Sequence, residues 1–85
     1  MLFPMDATTH MPQLFLEQPS RDDAEAALLS QMAELLTDAY LLPDLRVLAP
    51  QVRQLFPEPA YLVGCGSSHI WLHRAADPQR LAIIR

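Results

Sequence analysis

The sequence predicts an α+β domain: one long amphipathic helix packed on a small antiparallel sheet of three strands, or four if Leu14–Glu17 joins it. Three observations lead there. A run from Arg21 to about Leu41 repeats apolar residues at three- and four-residue steps, the period of a helix with one buried stripe. Tyr61–Arg85 holds three short apolar runs punctuated by GCGSS and ADPQ, the pattern of a strand meander. With 85 residues, the chain has room for a single small domain over 1–85.

Residues 1–12 carry Pro4 and Pro12 and no sustained period, which predicts a flexible or partner-bound arm. Leu14–Gln18 is too short for periodicity to separate strand from helical turn. Ser20 followed by Asp23 approximates a capping box, and Asp22, Asp23 and Glu25 then fall in a first turn, where the helix dipole favours negative charge. Ala24, Ala27, Leu28, Met32, Leu35, Leu36 and Ala39 form the predicted buried stripe. Asp22, Glu25, Gln31, Glu34 and Asp38 are assigned to the outer face. The helix is expected to stop near Leu42, because the residue before Pro43 is driven out of helical geometry.

Asp44–Phe56 alternates at Leu45, Val47 and Ala49, yet Pro50 suits a first helical position, so an irregular connector with one helical turn is expected. Pro57 and Pro59 close it. In the meander, Gly64, Gly66, Ser67 and Ser68 read as turn or bulge chemistry. From His69 the alternation is clean, with Ile70 and Leu72 on one face and His69, Trp71 and His73 on the other. Asp77 and Pro78 suit a tight turn before a last strand from Arg80.

A chain this short buries only about 60–65% of its unfolded surface, so help from a disulfide, a metal or a partner is expected. Cys65 is the only cysteine, which removes an intrachain disulfide and a closed cysteine-rich zinc site. A partner remains, either a second copy or another protein, and an apolar content of 51% fits that. No apolar run approaches the ~18–20 residues of a membrane span. The N-terminal MLFPMDATTH lacks the basic residue that opens a secretory leader, so a reducing cytoplasmic setting is expected.

The net charge of −4 is uneven. Residues 1–43 carry one arginine against seven carboxylates, and residues 44–85 carry five arginines against three. An acidic whole disfavours a general nucleic-acid binder, whose affinity comes from neutralising phosphates, while the basic half leaves room for local anion contact or an acidic partner.

Candidate chemistry is sparse. On a strand, His69 and His73 stand ~13 Å apart, too far to share a metal ion. Cys65 lacks a neighbouring helix N-terminus and an orienting group, so it reads as a small residue in a turn. GCG has neither the spacing nor the following helix of a phosphate loop. No catalytic group, metal site or cofactor is expected. The row His69, Trp71 and His73, with Arg74, Arg80 and Arg85 nearby, is the best functional candidate. It reads as a second core layer, as a contact surface for a protein partner, since tryptophan and arginine are enriched among binding hot spots, or as a face that stacks on a base.

In order, SRDDAEAALLSQMAELL (20–36), LPDLR (42–46), VRQLF (52–56), SHIWLHR (68–74) and RLAIIR (80–85) resemble the C-terminal two-thirds of the RelE/ParE toxin superfamily. The pattern covers residues 15–85, without room for both the family's first strand and its first helix. The resemblance implies a helix on an antiparallel sheet, a gyrase- or RNA-directed activity, and an antitoxin partner. It puts Trp71, His73, Arg74 and Arg85 where the family tends to place functional side chains. The acidic balance fits a gyrase inhibitor or a degenerate relative better than a ribosome-dependent nuclease. The reading that rests on the residues themselves is a small cytoplasmic protein–protein interaction module, working as a dimer or in a hetero-complex. The toxin is the alternative.

Overall fold

A computed structural model of the chain describes residues 12–38 and 44–85. The elements run β1 (Leu14–Leu16), α1 (Asp23–Thr37), a 3-10 turn (Leu45–Val47), α2 (Ala49–Leu55), β2 (Tyr61–Cys65), β3 (Ile70–Arg74) and β4 (Arg80–Ile84). The strands form one antiparallel sheet in the order β1-β4-β3-β2. The α+β class and the antiparallel meander are therefore as expected. Among the described residues the sheet has four strands, and a second helix accompanies the first. The expected arm lies outside the described residues except for Pro12, which is buried. The first helix ends at Thr37, with Asp38 as its C-cap, short of the expected end near Leu42, a residue that itself lies outside the described ones.

Helix α1 starts two residues later than the Ser20 cap would place it. Asp22 is the N-cap, its backbone extended and its carboxylate accepting a 2.8 Å hydrogen bond from the Glu25 N–H. Glu25, three residues on, reaches back to accept 2.7 Å from the Arg21 N–H, so the two acidic side chains satisfy donors that the first turn leaves unpaired. Asp22→Ala removes one of these bonds and should cost about 1 kcal/mol in a urea unfolding curve. An unchanged midpoint would show that the cap contributes nothing.

The buried stripe is Glu25, Leu29, Met32 and Leu36, flanked by Leu28 and Leu35. Ala24 and Ala27, expected inside, are exposed. Glu25, expected on the outer face, is 1% exposed. The stripe is thus rotated from the alanine-rich side toward the larger side chains, which bury more apolar area per position.

The connector is more ordered than expected. Asp44 caps the 3-10 turn through the Arg46 N–H, and Pro50 sits in the first turn of α2, where the missing N–H leaves no intrahelical bond unmade. Leu45, Leu48, Ala49, Val52 and Phe56 are all buried at helical spacing. The alternation at Leu45, Val47 and Ala49 was misleading, since Val47 is 58% exposed.

The core joins these helices to one face of the sheet: Tyr61, Ile70, Leu72, Leu81, Ala82 and Ile84 pack with Leu29, Met32, Leu36, Val52 and Phe56. Phe56 meets Tyr61 edge-on, ring centroids 5.0 Å apart. Full burial of side chains such as Phe56, Met32 and Leu81 contributes roughly 1.5–3 kcal/mol each relative to exposure. A register shift beside Leu72 and His73 inserts Leu81 as an extra residue, and Leu81 is fully buried.

Candidate functional site

Cross-strand register sorts every sheet side chain onto one face or the other. The pairs Leu14–Ile84–Ile70–Cys65 face the helices. The next row, Phe15–Ile83–Trp71–Gly64, faces away. Leu62, His73 and Arg80 extend that outer face. Ile83 is only 8% exposed, yet it lies outside the core cluster, between Phe15 and Trp71 in its row. Phe15 at 39% and Leu62 at 46% remain open. Among the described residues, no helix covers this face.

Trp71 is held by its neighbours rather than by a core. Its ring meets His69 edge-on at 4.3 Å. A Cβ placed at Gly64 would stand 3.1 Å from Trp71 Cε3, so the indole lies across the glycine and needs the space a side chain would take. GCGSS therefore divides differently from expectation. Gly64 and Cys65 belong to β2, and the turn is Gly66–His69, closed by the Gly66 N–H on the His69 carbonyl at 2.8 Å. No glycine among the described residues has positive φ.

The outer face brings together five of the six candidate residues. Trp71 and His73 on β3, with His69 just before it, form a half-buried row. Arg80 lies beside His73 and pairs bidentately with Glu17 at 2.8 and 2.9 Å. Arg85 follows Ile83 on the same face, its guanidinium 5.0 Å over the Phe15 ring. The result is an apolar strip of Phe15, Ile83, Trp71 and Leu62 edged by imidazoles and two arginines.

Arg74, the sixth, points the other way. Its register partner is Tyr61, and both reach the start of α1. Arg74 donates from Nη2 to Glu25 Oε1 at 2.6 Å and from Nε to Oε2 at 3.0 Å, and it also binds the Pro19 carbonyl and the Gln18 side chain. The Tyr61 hydroxyl donates to Glu25 Oε2 at 2.8 Å. With the Arg21 N–H, the Glu25 carboxylate accepts four hydrogen bonds. The Arg74 bonds chiefly, against the opposing effect of burial, lower its pKa from 4.5 to about 2. Burial, followed by the Glu25 bond, raises the Tyr61 pKa. This cluster joins α1, β2 and β3 with no buried polar side-chain atom left unpaired among the described residues, and it explains Arg74 without a ligand.

Among the described residues no group of three or more His, Cys, Asp or Glu could hold a metal ion, and no helix is long and apolar enough to cross a membrane. Cys65 is half-buried in β2, with Arg53 Nη2 3.7 Å from its sulfur. Comparison with family models, curated proteins and solved structures produced no match.

Proposed function

We propose that the chain is a small protein–protein interaction module whose outer sheet face docks a partner. The observation that carries this is the uncovered strip Phe15–Ile83–Trp71–Leu62, with Phe15 and Leu62 both more than a third exposed. A tryptophan flanked by imidazoles and arginines has the composition of a binding hot spot, an aromatic anchor with a polar rim. Chains of this size gain stability by burying such a face in an assembly. An acidic protein with only two outer-face arginines, one already paired with Glu17, is poorly equipped to hold a phosphate backbone.

Partner capture from the native cell with wild type, Trp71→Ala, Phe15→Glu and a helix-face control at Gln31→Ala tests the reading. Loss of the anchor should weaken binding by at least roughly 30-fold, with circular dichroism unchanged. A partner lost with Gln31→Ala and kept with Trp71→Ala and Phe15→Glu would move the docking surface to the helices.

A toxin of the RelE/ParE kind, neutralised by an antitoxin, is the second reading. In its favour is the resemblance of the sequence over residues 15–85. Growth of bacteria expressing the chain alone separates the two. Arrest that is relieved by the product of a neighbouring gene supports the toxin, and normal growth at high expression supports the module.

A further inference from the structure

We infer that two copies of this chain pair through their β2 strands, antiparallel about a two-fold axis at Gly64, making one eight-stranded sheet. The inference goes beyond the docking face above and stands on the strand edge rather than on that face. The Gly66 N–H binds the His69 carbonyl, and the Ala75 N–H binds the Ala60 carbonyl. Antiparallel ladders alternate, so Gly64 and Leu62 also turn their backbone groups toward β3. Tyr61, Val63 and Cys65 consequently turn theirs outward. The Tyr61 N–H is taken by the Pro57 carbonyl, while the backbone groups of Val63 and Cys65 have no partner among the described residues. An edge strand of this kind is a template for another strand.

The edge complements itself about Gly64. With Gly64 opposite Gly64 of the second copy, Val63 falls opposite Cys65 in both halves. Both pairs are then of the hydrogen-bonded kind, so four new bonds use every free N–H and C=O of Val63 and Cys65. The glycine pair at the axis carries no side chains. The two Trp71 strands lie three strand spacings apart, about 14 Å. Because each indole leans over its own Gly64, the two rings extend toward each other above the axis.

Charge placement agrees with this register. Arg53 lies at the Cys65 end of the edge and makes no ion pair among the described residues, whereas the neighbouring Arg46 is engaged by Asp44. Glu58, also without an ion pair, stands in the Pro57–Tyr61 turn at the other end. Antiparallel pairing brings Arg53 of each copy toward Glu58 of the other, once on each side of the axis. The other sheet edge, β1, is three residues long, and Glu17 just after it is already held by Arg80.

Sedimentation equilibrium on the full chain, over a wide concentration range, tests this together with amide hydrogen exchange. Wild type should be a dimer whose Val63 and Cys65 amides exchange slowly when concentrated and fast when diluted. Arg53→Glu, placing two like-charge pairs across the axis, should weaken dimerisation at least tenfold. Arg53→Glu combined with Glu58→Arg should bring the affinity back to within about threefold of wild type, by the reciprocity of a double-mutant cycle. Phe15→Glu, on the far side of the sheet, should leave the dimer intact. A chain monomeric at every concentration would overturn the inference, as would a dimer indifferent to Arg53→Glu with both amides unprotected. A dimer broken by Phe15→Glu and not by Arg53→Glu would place the second copy on the outer face, overturning edge pairing while upholding the docking face.

Discussion

Arg74→Leu should be the most destabilising single change in this protein outside the apolar core, costing roughly 3–5 kcal/mol. The substitution leaves the Glu25 carboxylate, 1% exposed, with only Tyr61, the Arg21 N–H and the exposed Arg21 guanidinium at 3.8 Å to offset its burial. A domain of this size has a total stability of about 4–13 kcal/mol, so the loss is a large share of it. Urea unfolding followed by circular dichroism measures the effect. Replacing both charges together, Glu25→Leu with Arg74→Leu, should cost less than Arg74→Leu alone, because no uncompensated charge then remains inside. If the single variant unfolded within 1 kcal/mol of wild type, the pair would not be holding α1 to the sheet.

Acid should act through the same carboxylate. The folded protein holds Glu25 near pKa 2, below its ordinary 4.5, so the unfolded chain takes up a proton first as pH falls. Stability therefore falls with decreasing pH, and the sign follows from the lowered value. The contribution is complete above about pH 4.5 and disappears between there and pH 2, on the order of 3 kcal/mol in all. Glu25→Gln should flatten the unfolding midpoint across that window. A midpoint in wild type that is level from pH 5 to 2 would contradict the assignment.

How far this arrangement was legible from sequence differs by element. Period-2 alternation around Trp71 and the turn chemistry of Asp77 located β3 and β4, and with them the outward row of His69, Trp71 and His73. The Glu25 cluster was hidden because two signals conflicted. Its charge and first-turn position argued for solvent, while its spacing to Leu29, Met32 and Leu36 argued for the core. What decided the outcome was Arg74, whose closeness to Tyr61 and α1 follows from strand register and cannot be read from local pattern. The stripe Leu45, Leu48, Ala49, Val52 and Phe56 was a readable sign of the second helix, obscured by a chance alternation of apolar residues. Strand β1 is three residues long and pairs with the last strand, so no local signal could have secured it. The strip Phe15–Ile83–Trp71 exists only through that long-range pairing. Proximity in sequence groups Arg74 with the outer-face arginines, and parity of the strand separates them.

The proposed docking puts a partner protein on the outer face of the sheet. Photo-crosslinking in the native cell tests it directly, with benzoylphenylalanine placed in turn at Phe15, at Leu62 and, as control, at Gln31 on α1. A discrete adduct is expected from Phe15 and Leu62, one dominant species, and none from Gln31. Adducts from Gln31 with none from the sheet positions would contradict it.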